Sequence, residues 1–252
     1  TEWGWEFDFV GPPTGCTDPE ACNYSPMAEL DNGSCVYPGD PECNGPDLIV
    51  VEDAIINSLS TEVMQVNESD CYIDEGCLNG YGARELVRFT THIKNIGDLD
   101  YYIGVPNQEG NNQLEWGDCH GHWHHNGYAK YDLFDLDGGM IPIGFKNGFC
   151  VMDLECSGGG TGQYGCGNMG ISAGCGDIYG AGLSCQWIDV TNVEDGTYYL
   201  VVRANYEFIP DALGRAENSY ENNHAAVCIQ LDRSSGALVV DHVDGCEPLH
   251  DC

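Results

Sequence analysis

The sequence TYYLVVRANY at residues 197–206 decides the fold class, because it joins aromatic and β-branched residues in one uninterrupted run. Such residues are typical of strands that lie in a partly buried sheet. Four further runs have the same character: DLIVVEDAII (47–56), ELVRFTTHIKNIG (85–97), AKYDLFDL (129–136) and GALVVDHV (236–243). Turn-forming residues separate the runs, and no stretch has convincing helical periodicity. The pattern predicts an all-β protein, a β-sandwich with long loops.

Cysteine is unusually frequent, with 15 residues in a chain of 252. No CxxC pair is present, so the density predicts disulfide bonds formed in an oxidising, extracellular compartment. Five of these cysteines lie in the glycine-rich stretch 144–186, which has little strand character. Loops of that length are uncommon in compact domains unless they are functional or disordered. We expect disulfide bonds to order this one.

Residues 1–45 differ from the rest of the chain, because Cys16, Cys22 and Cys35 lie there among turn-forming residues. This segment resembles a short cysteine-containing repeat of secreted proteins from marine bacteria and algae. We expect it to form a small Cys-rich spacer, followed by one larger domain over residues 46–252.

The charge balance narrows the choice of partners. Eight basic residues face 41 acidic ones, which gives a formal net charge of −33. Nucleic acid and anionic membranes are therefore excluded as partners, and no apolar run approaches the roughly 20 residues that a membrane span needs. The acidic surface either concentrates cationic ligands such as amines or serves solubility alone.

The sequence EWGDCHGHWHH at residues 115–125 contains a candidate metal site. His120, His122 and His124 alternate, so on a strand their side chains lie on one face. The outer Cα atoms of a straight strand would lie about 13 Å apart, so a shared ion requires a bend, which Gly121 permits. Three imidazoles suit copper or zinc. The alternative is a solvent-exposed histidine cluster that binds adventitious metal.

Over residues 46–250 the sequence resembles the catalytic domain of lysyl oxidases. The copper motif of that family is present as Trp116 followed by CHGHWH at residues 119–124. FKNGFCVMDLEC places Lys146 four residues before Cys150, and GCGDIYGAGLSCQWIDVT contains Tyr179. The resemblance implies that Lys146 and Tyr179 form the cofactor lysine tyrosylquinone, and that the three histidines bind copper(II).

The implied activity is oxidative deamination of lysine side chains of extracellular proteins, or of small primary amines, to aldehydes. Molecular oxygen is consumed, ammonia and hydrogen peroxide are released, and the aldehydes promote crosslinking. A general base must remove the α-proton of the amine. Asp177 and Asp189 are the carboxylates nearest to Tyr179 in the sequence, and both are candidates.

The resemblance also implies five disulfide bonds: Cys71–Cys119, Cys77–Cys185, Cys150–Cys166, Cys156–Cys175 and Cys228–Cys246. The pairing of the other five cysteines stays open: Cys16, Cys22, Cys35, Cys43 and Cys252. A calcium site is implied as well, with oxygen ligands of the kind that calcium prefers. Its residues would be Asp47, Leu48, Glu217, Ser219, Asn222 and Asn223. Ser219 replaces an aspartate of the family pattern, and an ordinary hydrogen-bonded turn is the alternative.

Two departures lie close to the copper motif. The family pattern WEWHSC is LEWGDC here, so Leu114 replaces a tryptophan and Gly117 replaces a histidine. A second hypothesis is therefore a catalytically silent structural or adhesive module of a larger extracellular surface assembly. Retention of three histidines and both quinone precursors favours the enzyme.

Overall fold

The computed structural model describes residues 12–18, 21, 28–37, 44–106, 114–117, 121–145 and 148–247. Within these ranges the protein consists almost entirely of strands and loops. The elements are β1 (Thr14–Gly15), β2 (Leu30–Asp31), β3 (Leu48–Val50), α1 (Glu52–Ile56), β4 (Ser60–Val66), β5 (Gly82–Arg88), β6 (Thr91–Asn95), β7 (Tyr101–Gly104), β8 (Leu114–Gly117), β9 (His122–Asn126), β10 (Ala129–Asp135), β11 (Met140–Ile141), β12 (Gly144–Phe145), β13 (Gly148–Phe149), β14 (Met169–Ile171), β15 (Gly176–Tyr179), β16 (Trp187–Asp189), β17 (Gly196–Ala204), β18 (His224–Asp232) and β19 (Val239–His242).

The sheets enclose a main hydrophobic core and two smaller buried clusters, and the predominance of strands confirms the predicted all-β class. The largest sheet has the order β11-β10-β17-β18-β19, and a second has the order β12-β16-β5-β4. A third sheet, β15-β6-β3, carries the segment around Tyr179. Inward-facing Leu133, Val202 and Ile229 of the first sheet belong to the same buried cluster as Val87 and Ile93. Alternating burial along β6 gives it the inside and outside faces that a sandwich strand requires.

One predicted strand is partly wrong. DLIVVEDAII was expected to be extended throughout, but only Leu48–Val50 pairs in a sheet, and Glu52–Ile56 forms a short helix. Glu52 and Asp53 lie in its first turn, where carboxylates interact favourably with the helix dipole. Ile55 is fully buried in the core, so tertiary packing outweighs the strand propensity of this apolar run.

Disulfide bonds connect distant parts of the chain. Four of the five implied bonds are confirmed: Cys77–Cys185, Cys150–Cys166, Cys156–Cys175 and Cys228–Cys246. Cys71 is also disulfide-bonded, and its implied partner Cys119 lies outside the described residues. Cys16 pairs with Cys35 in the N-terminal segment, where β1 and β2 also pair. The Cys77–Cys185 bond closes a loop with a sequence separation of 108, and loops of that length correspond to about 4–5 kcal/mol in the chain-entropy model.

Hydrogen bonds to two aspartates order the long loop further. The Asp153 carboxylate accepts from the backbone N–H groups of Gln163 (2.7 Å) and Tyr164 (3.0 Å). It also accepts from the N–H and hydroxyl groups of Ser172, both at 2.8 Å. Asp100 accepts from the Tyr164 hydroxyl at 2.9 Å. Two half-buried carboxylates thus act beside the disulfide bonds in holding the described part of this loop.

Every arginine and lysine that the structure describes forms an ion pair with a carboxylate. The pairs are Arg84–Asp189, Arg88–Glu62, Lys94–Glu155, Lys130–Asp132, Arg203–Asp132, Arg215–Asp211 and Arg233 with both Glu85 and Asp195.

No helix in the described part of the chain is long and apolar enough to cross a membrane.

Candidate active site

The histidine motif spans a β-hairpin formed by β8 and β9. Gly117 pairs with His122 and Glu115 pairs with His124, which fixes the register of the hairpin. Gly121 has a φ of +66°, a left-handed conformation that glycine adopts without strain. The chain therefore turns at Gly121, at the point where a shared ion requires a bend.

The three histidines differ in how much of each residue the structure describes. The His124 side chain is buried, with 5% of its surface exposed. His122 lies two residues before it on β9. His120 lies outside the described residues. Among those that are described, no three histidine, cysteine or acidic side chains group together as a metal site.

Backbone pairing brings the lysine motif next to this hairpin. Strand β13 pairs with β9 in the order β13-β9-β8, with Gly148 opposite Asn126 and Phe149 opposite His125. Lys146 is two residues before β13 and lies outside the described residues. The strand that immediately follows the predicted quinone lysine is therefore hydrogen-bonded to the strand that carries two of the predicted copper ligands.

Tyr179 lies at the end of β15 and is linked to the same region. Its side chain is 8% exposed, and its hydroxyl donates a hydrogen bond to the backbone carbonyl of Cys150 at 2.7 Å. Cys150 directly follows β13. Burial first, and the nearby Asp177 second, raise the pKa of Tyr179 well above its usual value. The hydrogen bond places the phenol oxygen beside Cys150, the residue that follows the strand paired with β9.

Asp177 lies two residues before this tyrosine on β15 and is fully buried. Burial raises the pKa of Asp177 to about 7, and interactions with Tyr179, the Met152 backbone and Tyr128 oppose that rise. None of the largest contributions to the shift comes from a described arginine or lysine. A carboxyl group with a pKa near neutrality, next to the predicted quinone tyrosine, has the properties of a candidate general base. Tyr128 was not predicted, because a single tyrosine before a strand has no distinguishing sequence signal.

Asp189, the other candidate base, has a different environment. Its Oδ2 atom accepts hydrogen bonds from Arg84 Nε (3.0 Å), Arg84 Nη2 (2.7 Å) and the Asn79 backbone N–H (2.9 Å). Its Oδ1 atom accepts from the Thr191 hydroxyl at 2.7 Å. These contacts give both carboxylate oxygens structural hydrogen-bond partners, among them Arg84 on β5, which favours Asp177 as the base.

The implied calcium residues meet in a second buried site, here called the amide pocket. Glu217 accepts hydrogen bonds from the Leu48 backbone N–H (2.6 Å), Asn205 (2.7 Å) and Asn223 (2.9 Å). Asn222 donates to Asp47 at 2.8 Å. Burial raises the pKa of Asp47, and it raises that of Glu217 to about 8.

Three side-chain oxygens of the amide pocket are buried without a hydrogen-bond partner: those of Asn218, Asn222 and Asn223. Buried amide oxygens normally have a partner, and unpartnered oxygens beside two carboxylates suit a cation such as calcium. Ser219 instead accepts a hydrogen bond from the Glu221 backbone N–H through its hydroxyl. Asn205 and Asn218 were not predicted. The asparagine-rich run at residues 218–223 was a signal for Asn218, whereas Asn205 lies apart in the sequence.

The fold and the site together define a class: a disulfide-rich β-sandwich with a histidine hairpin adjacent to a buried tyrosine. The family model for lysyl oxidase matches residues 46–241, and the chain belongs to the lysyl oxidase family. Lysyl oxidase homolog 2 from Bos taurus is 33% identical over 192 residues, which cover 71% of this chain and 23% of that protein. Lysyl oxidase homolog 3B from Danio rerio is 29% identical over 245 residues, covering 88% of this chain and 29% of that protein. The chain thus spans about a quarter of the length of these relatives.

Proposed function

We propose that the protein is an extracellular copper-dependent amine oxidase. It would oxidise lysine side chains of extracellular proteins, or small primary amines, to aldehydes, consuming oxygen, releasing ammonia and hydrogen peroxide, and promoting crosslinks. The supporting observation is the 2.7 Å hydrogen bond from Tyr179 to Cys150, the residue after the strand that pairs with β9. In this proposal residues 46–252 form the catalytic domain and residues 1–45 a disulfide-bonded spacer.

Three groups of residues have separate roles in the proposal. His120, His122 and His124 hold copper(II), and their imidazole nitrogens are donors that suit this ion. Lys146 and Tyr179 are the precursors of lysine tyrosylquinone. The metal and the quinone supply the two-electron oxidation for which unmodified side chains have no group.

Asp177 is the proposed general base. Its carboxylate accepts the proton from the α-carbon of the substrate amine, next to the Tyr179 ring. A pKa of about 7 allows it to accept this proton near neutral pH and to release it again. The fully buried position of Asp177 keeps bulk water away from the proton transfer.

The amide pocket is proposed to hold calcium through Asp47, the Leu48 backbone, Glu217, Asn222 and Asn223. Asn218 would contribute a further oxygen in place of the aspartate that Ser219 replaces. This cation would join the start of the domain to the turn before β18, since Asp47 precedes β3 and Asn223 precedes β18.

Copper loading of the purified chain in air tests the main proposal. We expect peroxide release with a lysine-containing peptide, and a covalent Lys146–Tyr179 crosslink in peptide mass spectra. Tyr179→Phe and Lys146→Arg should abolish both signals. Tyr199→Phe is the matched control, because Tyr199 is a buried tyrosine whose hydroxyl also donates to a backbone carbonyl, that of Glu247. Copper-loaded protein with an unmodified Lys146 and Tyr179 and no peroxide would identify a silent structural module instead.

A further inference from the structure

The ring of His124 lies directly against the backbone of Gly117. The two residues are diagonal neighbours across the β8–β9 hairpin, because Gly117 pairs with His122 and Glu115 pairs with His124. A Cβ atom added to Gly117 would lie 2.6 Å from Cε1, 3.0 Å from Nδ1 and 3.2 Å from Nε2 of His124. All three distances are shorter than ordinary van der Waals contact, so the ring occupies the volume that a side chain at residue 117 would fill.

If a side chain at residue 117 displaced the His124 ring, the ring would have no easy alternative position. His124 is 5% exposed, so neighbouring atoms surround it on its other sides. A histidine binds a metal through a nitrogen lone pair in the plane of its ring, and a tilt of the ring therefore moves the donor away from the metal. Interiors are close-packed, and a shift of a few tenths of an ångström there propagates to neighbouring side chains.

The conformation of Gly117 does not itself require glycine. Gly117 is the last residue of β8 and its φ is not positive, unlike that of Gly121 in the same hairpin. Alanine at this position would therefore be compatible with the backbone, and its three nearest contacts would all be atoms of the His124 ring. The family pattern has histidine at the equivalent place, so the room for this ring arrangement comes from the sequence LEWGDC of this chain.

We infer that Gly117 is a positioning residue for the metal site, because its missing side chain provides the space that fixes the orientation of the His124 imidazole. The inference rests on the proposed role of His124 as a copper ligand. It assigns a structural consequence to the replacement of a family histidine by glycine, and it makes that replacement part of how this chain holds its metal.

Copper affinity of the Gly117→Ala protein is the first test, measured on metal-free protein by competition with a chelator and by EPR. We expect affinity to fall about 10- to 100-fold, as for other groups that orient a ligand, with altered nitrogen hyperfine couplings. Gly165→Ala is the matched control, since its added Cβ meets nothing within 4 Å and its φ is not positive. In a His124→Ala background, Gly117→Ala should have no further effect. Unchanged affinity and spectrum in Gly117→Ala would overturn the inference.

NMR of the metal-free wild-type protein gives a second readout that does not depend on copper or on the folding of a variant. Strong NOEs between the Gly117 Hα protons and the His124 ring protons are expected, and their absence would refute the arrangement. If the NOEs are present but wild-type protein binds no copper, the proposed function fails while the packing of His124 on Gly117 stands. If copper binds and the NOEs are absent, the proposed function stands and the role of Gly117 is refuted.

Discussion

Asp177 and Asp189 are both buried, lie 12 positions apart in the sequence, and have opposite surroundings. Asp189 is paired with Arg84 and accepts further hydrogen bonds from the Asn79 backbone and the Thr191 hydroxyl. Asp177 has two tyrosines and backbone groups around it, and burial raises its pKa to about 7. The comparison teaches that burial alone does not identify a functional carboxylate. A compensating cation, Arg84, is paired with the structural Asp189, and no described cation is paired with Asp177, the proposed general base.

The largest expected effect comes from Asp177→Asn. If Asp177 is the base, kcat for amine oxidation should fall about 10²- to 10⁴-fold. The midpoint of thermal unfolding should stay unchanged or rise, because Asp177 belongs to none of the ion pairs that the structure describes. Peroxide assays and differential scanning calorimetry measure the two quantities. Quinone content has to be checked by peptide mass, so that lost turnover is distinguished from a missing cofactor. A variant with full quinone and more than half of the wild-type rate would break the comparison.

Asp189→Asn should have the opposite pattern. Removing one partner of a buried ion pair leaves Arg84 uncompensated and costs about 3 kcal/mol. For a domain of this size that corresponds to a fall of roughly 6–12 °C in the midpoint of unfolding. The rate per folded molecule should remain near that of the wild type. Urea unfolding of Asp189→Asn beside Glu194→Gln, a change of a carboxylate outside the buried pairs, measures the difference. Equal stability of the two variants would contradict it.

The pH dependence of kcat and of stability further distinguishes Asp177 from Asp189. With a pKa of about 7 for Asp177, kcat should rise roughly tenfold per pH unit below neutrality and level off above it. Stability should change in the reverse direction. The fold favours the neutral acid, so this contribution is complete below about pH 4 and is lost as the pH rises to about 7. Urea midpoints of wild type and Asp177→Asn from pH 4.5 to 8 isolate the effect, and parallel curves would refute it.

Glu217 extends the comparison to a third buried carboxylate, one that is surrounded by amides. Calcium at 100 times its dissociation constant should stabilise the protein by about 2.7 kcal/mol, which is roughly 5–10 °C in the unfolding midpoint. Asn222→Ala should reduce this shift, whereas Asn192→Ala, at an exposed position, should not. Magnesium is the ion control, because it loses its water shell reluctantly. Equal shifts with both ions, or none with calcium, would argue for an ordinary hydrogen-bonded turn.

Much of the fold follows from local sequence. The runs that became β10 and β17 are rich in residues that favour strands, and both contain three or more consecutive buried residues. The helix at Glu52–Ile56 was missed because an apolar run of this length is compatible with either structure. The Cys16–Cys35 bond could not be predicted, since spacing alone does not determine connectivity.

The candidate site was predictable in its residue types and less so in its contacts. Tyr179 was recognised from its motif, but its hydrogen bond to Cys150 depends on the pairing of β13 with β9, which no local pattern encodes. The choice between Asp177 and Asp189 stayed open because the sequence does not place Arg84, which is 105 residues from Asp189. Tyr128 and Asn205 contribute through long-range packing, for which the sequence has no short-range signal.

The ion pairing of every described arginine and lysine has a consequence for the medium in which the protein folds. Aspartate and glutamate outnumber lysine and arginine by 41 to 8, so dissolved cations must balance the net charge of −33. At physiological ionic strength such screening confines repulsion to about 8 Å, whereas at 0.01 M salt it reaches about 30 Å. Repulsion across the whole surface would then oppose compaction. The compact native state thus depends on dissolved salt, and dilution of the salt alone should make the protein less compact.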